Sequence, residues 1–391
     1  MELQMQRPPV SRSRQREREP RRPATGTVWV RLRRIALLAC LFALVPAVIS
    51  YAGMALETSN TSLAVRSVEW LRSNGGAGLV SKIENIYYSL TAPSKGGPGL
   101  KSLPHVGVSV TQTHAAHHPY QPSRIQPLAS PALPGEGIWH ATRPGVPYPP
   151  VLVSTFRSDP AEYPRLVAGL AWIDPHRTTI TLYPGREQPS VELPTRGPME
   201  VPPALRSGLL ATFNSAFKLE DSKGGFAYHG HTYTPMQNGQ ATFIEREGGG
   251  VNIESWSASA TAPSDVVFAR QNLPLIVTGG RPNPLLNDSA EWGATLGNAV
   301  QVWRSGIGID RHGDLIYAQA NYQTVASLAR ILIHAGAIRA MELDINSYWV
   351  SFNSYGAPGG RQPTKLLAET ERPASRYLEP DDRDFFAVFE K

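Results

Sequence analysis

The longest apolar run of the chain, Ile35 to Leu56, contains no charged side chain. At about 1.5 Å per residue, a helix of this length spans the roughly 30 Å hydrocarbon core of a bilayer. Basic residues precede the run and an acidic residue follows it: Arg31, Arg33, Arg34 and Glu57. Because basic flanks stay in the cytoplasm, residues 35–56 predict a single transmembrane helix, with the C-terminal part of the chain outside. The alternative is a signal peptide cleaved after Ala55, although signal peptides usually have a shorter apolar region.

The pattern of apolar positions divides the chain around this run. Residues 1–34 are rich in Arg and Pro and have almost no apolar period, which predicts a disordered cytoplasmic tail. Residues 57–92 show two short helical patterns separated by a Gly pair, and residues 93–135 read as a Pro-, Gly- and His-rich linker. Three histidines in this linker, His114, His117 and His118, are interpreted as solvated side chains rather than metal ligands.

From residue 136 onward the pattern is typical of one packed domain, residues 136–391. Two pairs of alternating segments flank short polar turns, which predicts hairpins at 241–256 and 307–318. A strand from Leu315, a helix capped by Thr324 and ended by Gly336, and a strand at 338–344 predict a β–α–β unit. We therefore expect an α+β or mixed α/β fold, with mixed sheets and hairpins, after one transmembrane helix.

Two carboxylates stand at the end of the last of these strands. Period-2 alternation places Glu342 and Asp344 on one face, and such a pair makes an acid and a base available near neutral pH. Glycoside hydrolysis needs two carboxyl groups at the scissile bond. Two alternatives stay open: a divalent cation held by Asp344 and Asn346, or a solvated strand end.

Other polar residues are candidates for substrate binding. Asn214 ends a strand-like run and is either a sugar ligand or a turn residue. Arg304 has a planar fork suited to phosphate, with a surface salt bridge as the alternative. His229 and His231 share a face if extended, but no further Cys or His completes a metal site, so polar or substrate contacts are favoured and no cofactor is predicted.

Composition excludes several classes of protein. One cysteine rules out an internal disulfide framework. The formal net charge of the chain is +6, of which residues 1–34 contribute +7 and the remaining residues −1. The basic character therefore belongs to the tail, and a nucleic-acid partner is not predicted. The sequence has no G-x-S-x-G elbow, P-loop, H-E-x-x-H or dinucleotide fingerprint, which argues against esterases, nucleotide hydrolases, zincins and Rossmann dehydrogenases.

Three motifs, in order and spacing, resemble those of the phosphodiester glycosidase family, which includes the lysosomal "uncovering enzyme". The family's N-G-G-F-F turn, R-T-x-x-G strand and L-D-G-G-G-S turn correspond to segments beginning at Asn214, Arg304 and Leu343. The version around Asp344 is similar to that of membrane-anchored actinobacterial members. It departs from the family at Ile345 and Asn346, which replace glycines, and no D-G-R motif follows the Arg hairpin.

The resemblance implies an enzyme that hydrolyses a sugar–phosphate diester in a cell-envelope glycan. In this interpretation Arg304 and Lys218 bind phosphate, and Asp344 and Glu342 carry the acid–base or nucleophilic work. Asn214, Asn346 and His229 position the sugar. The alternative from another class is a non-catalytic glycan-binding or envelope-assembly module on the same fold. A weaker third idea is a metal-dependent site at His229, His231 and Asp344.

Overall fold

The computed structural model describes residues 25–110, 119–287, 289–295 and 297–391, with side chains from residue 28 onward. Most of the predicted tail, residues 1–24, and the three linker histidines lie outside the described residues. The helices within these ranges are α1 (Thr25–Leu56), α2 (Leu63–Leu71), α3 (Ala77–Thr91), α4 (Leu219–Ser222) and α5 (Val325–His334).

The strands of the described part come in three groups along the chain. The first is β1 (His140–Ala141), β2 (Val151–Arg157), β3 (Val167–Ile173), β4 (Thr178–Tyr183) and β5 (Leu209–Asn214). The second is β6 (Phe226–Tyr228), β7 (His231–Thr234), β8 (Gln240–Arg246), β9 (Gly250–Ser255), β10 (Val266–Pro274), β11 (Val277–Thr278) and β12 (Arg281–Pro282). The third is β13 (Val302–Ile309), β14 (Leu315–Gln323), β15 (Arg339–Glu342), β16 (Phe352–Ala357), β17 (Arg361–Lys365) and β18 (Phe385–Glu390).

Helix α1 contains the whole predicted span and begins ten residues earlier, at Thr25 rather than Ile35. The part of the predicted tail between these two residues is therefore helical. From Val28 to Leu56 the helix is long and apolar enough to cross a membrane. A signal sequence near an N-terminus has the same character, so the structure is compatible with either an anchor or a signal.

Residues Glu57–Lys391 form one compact unit, which is separate from helix α1. The segment read as a linker packs on the larger unit where the structure describes it. Val106 and Ile125 are buried, and the Ile125 amide donates to the Gly137 carbonyl at 2.9 Å. Val106 and Ile125 are far apart in a Pro-rich segment and form no helical or strand pattern, so the sequence does not predict this packing.

Three antiparallel sheets build the larger unit. Eight strands pair in the order β1-β2-β3-β14-β13-β15-β11-β12, five in the order β17-β16-β5-β18-β4, and five in the order β7-β6-β10-β8-β9. The predicted hairpins correspond to β8–β9 and β13–β14. The sheets share one apolar core, which contains Ile307 of the first sheet, Phe213 and Phe386 of the second, and Phe243 of the third.

Helix α5 covers the other face of the eight-stranded sheet. Thr324 caps it as predicted, through reciprocal hydrogen bonds with Ser327, and Gly336 follows the helix with a φ of +105°. The helix connects β14 and β15, but these strands are not neighbours, because β13 lies between them and pairs antiparallel with both. Strands β14 and β15 therefore run parallel to each other in one sheet, are connected through α5, and have β13 between them.

Candidate active site

A polar cavity of about 340 Å³ opens where the loops after β5, β12 and β15 meet the loop before β18. Its most buried lining residues are Asp344, Trp349 and Arg383. Lys218 and Asn346 also line the cavity, which therefore contains three of the site residues predicted from sequence. Arg383 was not among those predicted residues. The space is large enough for a sugar-sized ligand.

Asp344 lies two residues beyond the end of β15, and 4% of it is exposed. One carboxylate oxygen, Oδ2, accepts a hydrogen bond from Arg383 at 3.0 Å, and Oδ1 accepts one from the Asn346 amide at 2.9 Å. Burial raises the pKa of Asp344 above its usual value, while the Arg383 charge and the Asn346 and Ile345 amides oppose that rise. The side chain is thus a buried carboxylate that faces the cavity and is held by one cation.

Arg383 is the site residue that sequence reasoning missed. Its guanidinium donates to Asp344 and to the Ala216 carbonyl, and it lies 5.1 Å from the centre of the Trp349 ring. Its Nε is buried and has no hydrogen-bond partner among the residues that the structure describes. Because Arg383 lines the cavity and its planar guanidinium suits phosphate, it is the better candidate phosphate ligand.

A signal for Arg383 was present in the sequence. Asp381, Asp382, Arg383 and Asp384 form a run of charges immediately before the apolar strand β18, and all four are buried. Each acidic member has its own cation: Asp381 pairs with Arg376, Asp382 with Arg186, and Asp384 with Arg270. A run of charged residues that continues directly into a core strand is buried with it, so each charge needs a partner of opposite sign inside the fold.

The structure places Arg304, the predicted phosphate ligand, away from the cavity. It is fully buried, is not among the residues that line the cavity, and forms an ion pair with Glu342. Its other N–H groups donate at 2.8–2.9 Å to four backbone carbonyls: Gln323, Trp292, Gly293 and Val300. All five guanidinium donors are therefore occupied, and the residue holds the loop at 292–300 against the sheet instead of binding a ligand.

Glu342 is likewise placed away from the cavity. It is 1% exposed on β15, and its Oε1 accepts from Arg304. Burial raises the pKa of Glu342 to about 6, against the opposing charge of Arg304. The predicted pairing of Glu342 with Asp344 as two carboxylates at one bond is not formed, because Glu342 pairs with Arg304 away from the cavity while Asp344 pairs with Arg383 on its wall.

Asn214 connects the motifs without reaching the cavity lining. Its amide donates to the Ser305 hydroxyl at 3.0 Å, and its Oδ1 accepts from the Tyr317 hydroxyl at 2.8 Å. Ser305 in turn accepts from the Asp344 amide and donates to the Asp344 carbonyl, both at 3.1 Å. The three sequence motifs thus meet at Ser305, which fixes the backbone that presents Asp344. Asn214, the predicted sugar ligand, is instead buried, and its side-chain amide is hydrogen-bonded within the fold.

Two of the remaining candidates line the cavity and one does not. Lys218 lies on the wall and forms an ion pair with Glu69 at 3.5 Å, and Asn346 is exposed beside Asp344. His229 occupies the β6–β7 turn with a φ of +49° and is not among the lining residues. Within the described ranges, no group of three or more His, Cys, Asp or Glu side chains is arranged to hold a metal ion. This finding removes the support for the idea of a site at His229, His231 and Asp344.

Helices α2 and α3 complete the cavity on its outer side. Glu69 and Arg72 come from the end of α2, and Glu84 and Tyr88 from α3. Arg72 approaches Asp221 at 3.6 Å. The preceding segment is held as well, since Ser59 and Thr61 donate to Asp382. The predicted short helices of residues 57–92 are therefore part of the cavity wall.

The chain has weak structural likeness to solved proteins, while no family model and no curated protein matches it. The catalytic domain of zebrafish N-acetylglucosamine-1-phosphodiester α-N-acetylglucosaminidase, auto-inhibited by its pro-peptide, is 15% identical with a TM-score of 0.40. That match covers 64% of this chain and 86% of that one. A protein of Synechocystis is 15% identical, with a TM-score of 0.32 and coverage of 58% and 59%. A protein of Burkholderia pseudomallei is 11% identical, with a TM-score of 0.31 and coverage of 57% and 74%.

Proposed function

We propose that the chain is a membrane-anchored hydrolase that cleaves the bond between a sugar and a phosphate diester in a cell-envelope glycan. The observation that carries this proposal is the buried pair of Asp344 and Arg383 on the inner wall of a polar cavity. Lys218 adds a second cation to the same lining. The order of motifs shared with the phosphodiester glycosidase family supports the same chemistry.

The two cations suit a phosphate leaving group. When the sugar carbon–oxygen bond breaks, the electron pair stays on the phosphate oxygen, and Arg383 and Lys218 stabilise the departing charge. A phosphate monoester has a second pKa of about 6, so it leaves near neutral pH without full protonation. The reaction therefore needs no second carboxyl group as a general acid at the breaking bond, which agrees with the position of Glu342 outside the cavity.

Asp344 acts on the sugar side of the bond. As a carboxylate it stabilises positive charge at the sugar carbon, or attacks that carbon, while water supplies the hydroxyl group of the product. The proton released from the water leaves to solvent or to the departing phosphate. Ser305 acts only through the backbone of Asp344 and is a positioning residue.

The anchor in this proposal is α1, with the C-terminal unit outside the cytoplasm. Arginines directly before the apolar segment, and a lone glutamate directly after it, favour this orientation. The apolar segment is longer than the apolar region of a typical signal peptide, which favours a retained helix.

The substrate class can be tested with the full-length protein in detergent. The probes are methyl phosphodiesters of N-acetylglucosamine, glucose and mannose 1-phosphates, with the matching methyl glycosides, which lack phosphate, as controls. We expect free sugar to be released from at least one phosphodiester and from none of the glycosides, and Asp344→Asn to abolish that release. Glycan binding without turnover of any probe would support the non-catalytic alternative and contradict the proposal.

A further inference from the structure

One face of α3 is apolar and exposed. Its side chains follow helical spacing and are between 51% and 79% exposed: Leu79, Ile83, Ile86, Tyr87 and Leu90. Residues at these intervals form a continuous stripe along the helix. A soluble surface rarely presents such a stripe unless something covers it.

The opposite face of the same helix is already in use. Val80 is 3% exposed, and Glu84 and Tyr88, one and two turns further along, line the cavity. Helix α3 thus packs through one face against the rest of the larger unit. The stripe points away from that unit and remains uncovered by it.

The length of chain between α1 and the larger unit limits what can cover the stripe. Helix α1 ends at Leu56, and Ser59 and Thr61 are already hydrogen-bonded to Asp382. At about 3.5 Å per extended residue, the three residues from Leu56 to Ser59 reach roughly 11 Å at most. An anchored α1 therefore keeps Ser59 within roughly 11 Å of the end of the anchoring helix.

We propose that the exposed stripe of α3 lies in the interfacial region of the same bilayer that holds α1. This inference rests on the proposed anchor. A lipid surface suits the stripe because aliphatic side chains enter the acyl boundary, while Tyr87 and Lys82 suit the headgroup level. The cavity, whose wall is the inner face of α3, then opens beside lipid headgroups.

The test uses the full-length chain in vesicles of equal parts phosphatidylcholine and phosphatidylglycerol. A nitroxide label is attached to Ile83→Cys or Ile86→Cys in a Cys40→Ser background, and its collisions with oxygen and with a water-soluble nickel chelate are measured. We expect nickel collisions at both positions to be reduced at least about three-fold relative to a label at Glu247→Cys. Glu247 is the matched control, because it is exposed on the β8–β9 turn.

A label on the native Cys40 separates the two claims, since this residue lies in α1. If Cys40 is shielded from nickel while Ile83 and Ile86 are as accessible as Glu247, the anchor stands and the inference about α3 is wrong. If labels at Ile83 or Ile86 broaden one another, a second copy of the chain covers the stripe, which also overturns the proposal. A water-accessible or cleaved Cys40 segment would overturn both.

Discussion

The guanidinium of Arg383 donates to the Asp344 carboxylate across 3.0 Å, and both side chains are buried on the wall of one cavity. In the proposed reaction, this pair supplies a fixed positive charge for the leaving phosphate, with a carboxylate beside it. Arg383 also opposes the rise that burial causes in the pKa of Asp344. The two residues therefore depend on each other, and this dependence can be measured.

Replacing Arg383 is expected to change the pH dependence of hydrolysis. In Arg383→Gln the opposing charge is gone, so the pKa of Asp344 rises further and the acidic limb of the kcat/KM profile moves to higher pH. Arg383→Lys keeps the charge and is the matched control, with its acidic limb close to wild type. An unchanged limb in Arg383→Gln would show that Asp344 does not govern activity.

Gly185 is expected to be intolerant of a side chain because of its contact with Arg383. A Cβ at this position would lie 2.4–2.7 Å from the backbone C, O and N atoms of Arg383, so Gly185→Ala must move that backbone. We expect kcat/KM to fall at least about tenfold, as misplacement of a site residue does elsewhere. Gly208→Ala is the control, since its nearest atom would lie at 3.8 Å. Equal activity in the two variants would show that hydrolysis does not depend on the position of Arg383.

The ion pair of Arg304 and Glu342 is expected to support the fold. In Arg304→Met the buried Glu342 carboxylate loses its partner and four carbonyls lose donors, which should cost about 3–5 kcal/mol. The double variant Arg304→Met/Glu342→Gln should recover part of this loss, because the unpaired charge is removed. The check is the free energy of unfolding in urea. A marginal effect of Arg304→Met would contradict the structural role and reopen its assignment to phosphate.

Asp314, in the β13–β14 turn, should make stability depend on pH away from the site. Burial and the nearby Asp310 raise the pKa of Asp314 to about 7. A carboxyl group with a raised pKa stabilises the fold while protonated, and this contribution is lost as the pH rises through about 7. Asp314→Asn should thus be neutral near about pH 4 and more stable than wild type by about 2 to 4 kcal/mol above about pH 8. Parallel curves of unfolding free energy against pH would show that the wild-type carboxyl titrates normally.

Local sequence pattern predicted much of this fold and part of its site. The β8–β9 and β13–β14 hairpins and the cap of α5 follow from alternation and from Thr324, because these signals act between near neighbours. The place of Asp344 at a cavity follows from its position after a buried strand. Each of these features depends on chemistry within a few residues.

The remainder depends on contacts between distant segments. The sequence predicts Arg304 as a phosphate ligand, but the carbonyls that accept its hydrogen bonds come from loops that the local pattern does not place beside it. Arg383 was missed because its partner Asp344 lies 39 positions away. Nor did the helical pattern at residues 57–92 show which face of α3 docks on the domain. Which residues pair across the fold depends on tertiary structure, and the local pattern of apolar residues does not predict it.

The most direct test of the central claim is to find which bond breaks. The wild-type protein would hydrolyse its sugar phosphodiester in water enriched in heavy oxygen, and mass spectrometry would locate the label in the products. Cleavage between sugar carbon and oxygen, at the cavity of Asp344 and Arg383, predicts the label in the released sugar and an unlabelled phosphate. Label in the phosphate instead would mean attack at phosphorus and would contradict the glycosidase account.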